Sequence, residues 1–292
     1  MRLRTLLVAI GLCAGPVSAQ DLPVIVADSY PMAFLAETLV GDAAEVRLVV
    51  PEGRDPASWR PTLADIVEIQ AADLIVLNGS GLTDWSTRAA LPRSRTVDTG
   101  RGLESDLIAT DTITHSHGQE GSHSHEGVAP STWLDLGLAI RQAEVLARAM
   151  TRALPNAPVA DNLTRLSDDL RELDAMGDAL VDGAAIPVIT SHPRYEYLGR
   201  AYGLQVTSLD WTAGDVPDAS QLATLRTFAE ETGAEVLIWE VAPPPEARAS
   251  VEALGLAQAV IPPMSTKPDT GDFLTGLRAG LADLAEALDT VD

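Results

Sequence analysis

The chain has 292 residues, 46% of them apolar, and its 42 acidic residues against 20 basic ones give a formal net charge of −22 at pH 7. Such a charge disfavours nucleic acid or an anionic membrane as a partner and raises the local concentration of cations. The single cysteine, Cys13, excludes a disulfide framework, so we expect stability to come from a buried core, for which the length is sufficient.

The N-terminus has the pattern of a secretory signal peptide over residues 1–19. Arg2 and Arg4 precede an apolar run, and Val17-Ser-Ala19 supplies a small-residue cleavage site. Cleavage there removes the only cysteine, and no later stretch is long and apolar enough to cross a bilayer. We therefore expect a periplasmic protein, and we expect it to act as a monomer.

Two halves of the chain share the order strand, polar turn with proline, and helix closed by glycine. The first such unit begins at Val24 and the second at Pro187. In each half a further helix leads into an apolar strand: helix 62–71 with strand 73–79, and helix 219–232 with strand 234–240. Apolar strands that alternate with helices indicate parallel sheets covered on both faces. The predicted fold class is therefore α/β, with two similar βα lobes and mainly parallel sheets.

Several polar residues follow the predicted strands directly. They are Tyr30, Asn78, His192 and Glu240. In parallel sheets a ligand binds beyond the carboxyl ends of the strands. The predicted site is therefore a cleft between the two lobes.

Two helical stretches, 132–154 and 158–182, separate the halves. The second carries an apolar stripe at three- and four-residue steps, formed by Leu163, Leu166, Leu170, Leu173, Met176 and Leu180. A helix of this length can join both lobes as a stiff strut. The predicted domains are an N-terminal lobe over 20–154, an interlobe helix over 155–184 and a C-terminal lobe over 185–292.

Four of the five histidines lie within residues 115–125, a run rich in glycine and serine. They are His115, His117, His123 and His125. Imidazole is a common ligand of zinc and of other divalent transition metals, and the alternate spacing allows several rings to reach one ion. The flanking sequence predicts a loop inserted before the first of the two helical stretches. We interpret the run as a Zn²⁺-binding loop, with a solvated linker as the alternative.

Several motifs resemble the periplasmic solute-binding receptors of zinc and manganese ABC transporters, of the high-affinity zinc-uptake type. The motifs are Asp55-Pro-Ala-Ser-Trp-Arg-Pro-Thr62, Ala72-Asp-Leu-Ile-Val-Leu-Asn-Gly79, Gly81-Leu-Thr-Asp-Trp85, Pro130-Ser-Thr-Trp-Leu-Asp135 and Ser191-His-Pro-Arg-Tyr-Glu-Tyr197. The resemblance covers nearly the whole chain after the signal peptide. It implies a periplasmic receptor that delivers a metal ion to an ABC transporter permease in the inner membrane.

Such receptors hold the ion with three histidines and one carboxylate, and the resemblance places only His192 on that set. Ala57, Ser131 and Pro262 stand at the other three positions. Because zinc sites need four nitrogen, sulfur or oxygen ligands, we predict that the cleft does not hold a bare zinc or manganese ion tightly. Possible substitute ligands are Glu240, Asp210, Ser131, Asp269 and Asp272.

Three interpretations of the function stay open. The first is a transport receptor for zinc, or for another divalent metal or a metal complex. The second is a periplasmic zinc buffer that acts through the histidine run. In the third, the cleft takes a chelated metal or a small organic solute whose carboxylates meet Arg60 and Arg194. No catalytic motif is present, so we do not expect an enzyme.

Overall fold

The computed structural model describes residues 22–109 and 128–291, together with the backbone of two strands, Ile113–Ser116 and Ser122–His125. The predicted signal peptide lies outside the described residues, as does His117. No helix of the described part is long and apolar enough to cross a membrane.

The N-terminal lobe is a parallel sheet with helices between its strands. Its elements are β1 (Val24–Ala27), α1 (Tyr30–Val40), β2 (Glu45–Leu48), α2 (Leu63–Ala71), β3 (Leu74–Leu77), α3 (Asp84–Arg88) and β4 (Thr96–Asp98). The strand order is β2-β1-β3-β4, and every pair is parallel. Thr62 caps α2 by accepting a hydrogen bond from the Asp65 N–H, which explains why the helix begins there.

A two-stranded antiparallel hairpin follows, made of β5 (Ile113–Ser116) and β6 (Ser122–His125). The prediction of a loop for the histidine run was therefore wrong for these residues. Ile113 and Thr114 are β-branched and favour extended backbone, which suits a strand at this position.

The helices between the lobes are α4 (Leu136–Ala153) and α5 (Val159–Asp178). The first begins later than predicted because Asp135 caps it, accepting from the Leu138 N–H at 3.0 Å, after a short 3-10 helix at Thr132–Leu134. The second ends before the predicted residue 182, ahead of the helix-disfavouring Gly183. The predicted stripe on α5 is confirmed: Leu166, Leu170 and Leu173 are fully buried, Leu163 and Met176 are partly buried against the core, and so is Leu180 just after the helix.

The C-terminal lobe repeats the architecture of the first. Its elements are β7 (Ile186–Thr190), α6 (Glu196–Tyr202), β8 (Leu204–Ser208), α7 (Ala219–Thr232), β9 (Val236–Trp239), α8 (Pro245–Glu252), β10 (Ala257–Val260) and α9 (Phe273–Asp289). The strand order is β8-β7-β9-β10, with all pairs parallel. When the strands are numbered along each lobe, both sheets have the order second, first, third, fourth. The prediction of two similar α/β lobes is therefore confirmed.

One hydrophobic core runs through both lobes. It includes Leu39 of α1, Leu170 of α5 and Leu284 of α9, because α5 packs against α1 on one side and α9 on the other. Two smaller clusters lie in the individual lobes, around Trp59 and Trp85 in the first and around Trp211 and Trp239 in the second. The shared core holds the two sheets against the same helix. The domain boundaries near residues 155 and 184 remain a proposal.

Candidate ligand cleft between the lobes

The two sheets bring equivalent residues to the cleft. In each sheet the second strand lies on one side of the first and the third strand lies on the other, so the point beyond the first and third strands is the topological switch point. Asp28 and Asn78 follow β1 and β3, while His192 and Glu240 lie just beyond β7 and β9. The predicted placement of Asn78, His192 and Glu240 beyond strand ends is therefore confirmed.

On the N-terminal side, the switch point is filled by a buried polar network. The Asp28 carboxylate accepts hydrogen bonds from the Asn78 N–H at 3.0 Å, from Thr83 Oγ1 at 2.9 Å and from Ser29 Oγ at 3.1 Å. Burial raises the pKa of Asp28 to about 6, although the three hydrogen bonds act in the opposite direction. Asp28 was not among the predicted site residues, although a polar residue directly after a buried strand is a usable signal.

Asn78 extends this network towards the segment that carries Ser131. Its Oδ1 accepts from Gln142 Nε2 at 3.0 Å and from Thr132 Oγ1 at 3.2 Å, and its Nδ2 donates to the Pro130 carbonyl at 3.3 Å. The network thereby fixes the backbone on both sides of Ser131. The Ser131 hydroxyl is fully buried and has no hydrogen-bond partner within the described residues.

The segment that carries Pro262 is also held from both lobes. Trp133 Nε1, between the lobes, donates to the Pro263 carbonyl at 2.7 Å, and Tyr195 Oη donates to the Ile261 carbonyl at 2.6 Å. Met264, the next residue, has a φ of 55°, a left-handed conformation that is uncommon for a non-glycine residue. These bonds fix the loop so that Pro262 and Pro263, which carry no carboxylate, line the cleft.

His192 is buried, with 2% of its side chain exposed. Its Nδ1 lies 3.5 Å from Oδ1 of Asp210, whose side chain is half exposed. The structure thus brings together His192 and one predicted substitute ligand. An imidazole and one carboxylate supply two of the four ligands that a tight zinc site needs.

Arg194 lies between two carboxylates from different lobes. Its Nη2 donates to Asp55 Oδ2, on the loop after β2, and its Nε lies 3.5 Å from Glu240 Oε2. About nine-tenths of each of these three side chains is buried. Burial alone would lower the pKa of Arg194, but the two carboxylates raise it above its usual value, so the guanidinium is charged at every accessible pH.

Glu240 was predicted as a substitute metal ligand, but in the structure its carboxylate is engaged with Arg194. Burial raises the pKa of Glu240, the nearby Arg194 lowers it, and the Asp55 carboxylate raises it further. The guanidinium contacts both carboxylates and cannot be deprotonated, so it stays the positive member of this pair.

The other predicted contributors have different roles. Arg60 donates to the carbonyls of Ala57 and Trp59 and lies 3.9 Å from Asp84, so both arginines that were considered as partners for a ligand's carboxylates contact groups of the protein itself. Asp272 caps α9, accepting from the Thr275 N–H at 2.8 Å. Asp269 lines the adjoining cavity.

That cavity has a volume of about 1290 Å³ and opens beside Arg194. Carboxylates outnumber the basic groups among its charged lining residues, and the acidic ones are Glu52, Asp55, Glu240, Asp269, Asp283 and Glu286. Lys267 and Arg194 are its basic residues. The lining is therefore acidic overall, which disfavours an anionic solute.

Within the described residues, no group of three or more histidine, cysteine, aspartate or glutamate side chains is arranged to hold a metal ion. Ala57 is buried and has no donor atom, and Pro262 lines the cavity without a carboxylate. The histidine run is the other candidate site, and the backbone register of its hairpin places His115 opposite His123.

The chain is similar to a known protein family and to proteins of known structure. The model of the family described as ZnuA, zinc-uptake complex component A, periplasmic, matches residues 25–287. The high-affinity zinc uptake system protein ZnuA of Bacillus subtilis is 28% identical over 230 residues, which cover 74% of this chain and 70% of that protein.

Two further similarities extend the comparison. The zinc-binding protein AdcA of Streptococcus pyogenes serotype M3 is 24% identical over 93% of this chain, but the chain spans only 57% of that protein. The crystal structure of the Zn(II)-bound ZnuA-like domain of Streptococcus pneumoniae AdcA superposes with a TM-score of 0.75 at 18% identity, covering 92% of this chain and all of that one. This likeness shows a shared fold. Because the family model matches nearly the whole described chain, the protein belongs to the ZnuA family of periplasmic zinc-uptake components.

Proposed function

We propose that this protein is the periplasmic solute-binding component of an ABC-type zinc uptake system. The observation that carries the proposal is the family match over residues 25–287, which includes both lobes and the cleft. Relatives over most of this length are named for zinc uptake or zinc binding. The partner is then a permease of the inner membrane, and the protein acts as a receptor rather than as an enzyme.

We further propose that His115, His117, His123 and His125 take up the Zn²⁺. Residues directly opposite in an antiparallel pair have Cα atoms about 4.5–5.5 Å apart, so the register of His115 with His123 brings two histidine positions close together. Neutral imidazoles are good zinc ligands, and the acidic surface raises the local concentration of the cation. Other divalent transition metals are alternative cargoes, since imidazole also binds copper and nickel.

His192 contributes less to this function than the family pattern implies. With Asp210 it provides two ligand groups, and the positions of the remaining family ligands hold Ala57, Ser131 and Pro262. Glu240 is engaged with Arg194. These contacts favour a second candidate function, a periplasmic zinc buffer that binds through the histidine run and has a cleft with no metal.

The two candidate functions predict different effects on the rate of zinc uptake. We would measure uptake of radioactive zinc in the source bacterium under zinc limitation, after deletion of this gene and after complementation with the full chain. A transport receptor predicts that the initial uptake rate falls on deletion and recovers on complementation. A buffer predicts an unchanged rate together with a smaller periplasmic zinc pool.

The binding site is tested separately on the purified protein. Calorimetry would compare the full chain with a variant in which all four histidines are replaced by serine, and with a control in which Ser116, Ser122 and Ser124 are replaced by alanine. We expect stoichiometric zinc binding in the parent and the control, and its loss in the histidine variant. Equal zinc binding in all three proteins would contradict the proposed role of the run.

A further inference from the structure

We propose that the guanidinium of Arg194 is the resident cation of the cleft, and that Arg194 is the residue that prevents the cleft from taking a bare divalent ion. Arg194 lies between a carboxylate of one lobe and a carboxylate of the other, where a bound cation would otherwise join them. This inference concerns the cleft alone and does not depend on the proposed transport function.

Contacts other than Arg194 position Asp55 and Glu240. Asp55 Oδ1 accepts from the Ala57 N–H at 2.9 Å, and the Asp55 carbonyl accepts from the Trp59 N–H at 2.9 Å. Glu240 is held at its backbone, where its N–H donates to Ser191 Oγ at 3.1 Å. The loop after β2 and the end of β9 therefore bring two negative side chains to one place.

Two buried carboxylates in one site repel each other and need a counter-charge. Burial raises the pKa of Glu240 and the nearby Arg194 lowers it, while the Asp55 carboxylate adds to the rise, as expected for two negative groups in one site. Arg194 supplies the counter-charge from its own chain, with its side chain 9% exposed. A guanidinium keeps its charge at any physiological pH, so this cation is permanent.

A divalent ion would have to displace that guanidinium. It would gain no compensating ligand from Ala57 or Pro262, because neither side chain has a donor atom. Arg194 follows the one retained histidine of the family pattern, His192, by two residues, so both lie on the segment after β7. The missing ligands and the charge of the guanidinium therefore both disfavour a bound divalent ion.

The test asks whether added Zn²⁺ restores the stability lost with Arg194, in a protein whose histidine run carries no histidines. In the full chain with His115, His117, His123 and His125 replaced by serine, we would replace Arg194 with methionine, which is apolar and of similar length. Thermal unfolding would be followed with and without added Zn²⁺. We expect the Arg194→Met protein to melt at a lower temperature without metal, and Zn²⁺ at about 100 times its Kd to raise its Tm by about 5–10 °C. The parent protein, which has the four serine substitutions and keeps Arg194, should show no such rise in Tm.

Two further variants control for effects elsewhere. Arg278→Ala removes an exposed arginine that pairs with Glu172, and it should gain no response to Zn²⁺. The triple variant Asp55→Asn, Arg194→Met, Glu240→Gln removes all three charges together, and it should fold without responding to Zn²⁺.

A folded Arg194→Met protein with no Zn²⁺ response would overturn the proposal. So would a parent protein that already binds Zn²⁺ stoichiometrically at the cleft. If Arg194→Met does not fold without metal, recovery of the folded state on adding Zn²⁺ supports the proposal. If it does not fold under either condition, direct Zn²⁺ titration of the parent decides: binding contradicts the proposal, and no binding supports it.

Discussion

Asn78 and Glu240 occupy the same position in the two lobes. Each follows the third strand of its sheet and donates its backbone N–H to the residue after the first strand, which is Asp28 at 3.0 Å in one lobe and Ser191 at 3.1 Å in the other. The backbone bonds from Asp28 to Val76 and from Ser191 to Ile238 confirm the equivalence. The two lobes thus share one backbone arrangement, but the first lobe has the carboxylate of Asp28 where the second has the hydroxyl of Ser191.

The buried carboxylate of Asp28 should make stability depend on pH. Its pKa is raised from 3.8 to about 6 by burial, so the folded state binds its proton more tightly than the unfolded state does. Its contribution to stability is full below about pH 4 and is lost as pH rises to about 6. Asp28→Asn cannot titrate, so the free energy of unfolding of this variant relative to wild type should increase by up to about 3 kcal/mol from pH 4 to pH 7.

Urea unfolding at pH 4, 5, 6 and 7 measures this difference. Asp182→Asn is the control, because Asp182 is exposed on a turn. A constant offset between Asp28→Asn and wild type across these pH values would show that Asp28 does not titrate in this range.

The hydrogen bond from Trp133 to the Pro263 carbonyl should contribute to holding the loop at the cleft. Trp133→Phe retains an aromatic ring but removes the donor, leaving a buried carbonyl without its partner. We expect a loss of about 1–3 kcal/mol in the free energy of unfolding and faster hydrogen exchange at Met264. Trp239→Phe is the matched control, because Trp239 donates to Gln258 within one lobe. Equal exchange at Met264 in both variants would contradict a specific role for the Trp133 bond.

Much of the fold could be predicted because its signals are local. Apolar strands and Gly-terminated helices recur in both halves, and the stripe on α5 repeats at helical spacing. The positions of His192 and Glu240 beyond strand ends follow from the same pattern. The hairpin of the histidine run was missed because its glycine and serine content is typical of loops.

The arrangement of the cleft could not be predicted to the same extent. Asp55, Arg194 and Glu240 lie on three distant segments, and nothing in the spacing of one sequence shows that they meet. Arg194 was considered as a partner for a ligand, since a charged residue near a cleft is often exposed. Only the structure, in which Arg194 is buried against two carboxylates, shows that this residue pairs with groups of the protein.

Gly177 of α5 is expected to resist substitution. A Cβ at this position would lie 2.6 Å from Cδ1 and Cζ of Tyr202. Tyr202 cannot move aside easily, because its hydroxyl donates to Asp174 at 2.9 Å and accepts from the Leu136 N–H at 3.3 Å. We expect Gly177→Ala to lower the free energy of unfolding by about 1–3 kcal/mol, against the usual gain in helix propensity. Gly137→Ala in α4, whose Cβ would lie 3.2 Å from an Asp135 carboxylate oxygen, should cost less in the same denaturation assay.

The zinc affinity of the histidine run should fall as the pH is lowered. Imidazole must be neutral to bind the ion, and unperturbed histidine has a pKa of about 6.5. At pH 7.5 most of the four rings of His115, His117, His123 and His125 are free to bind, whereas at pH 5 a ring is protonated about 97% of the time. Calorimetric titration with Zn²⁺ at pH 7.5, 6.5 and 5 should show a progressive loss of affinity, and binding should release protons in the upper part of this range. The histidine-to-serine variant should show neither the binding nor the proton release. Affinity that stays constant down to pH 5 would indicate carboxylate ligands instead, and would transfer the zinc site from this run to the acidic surface.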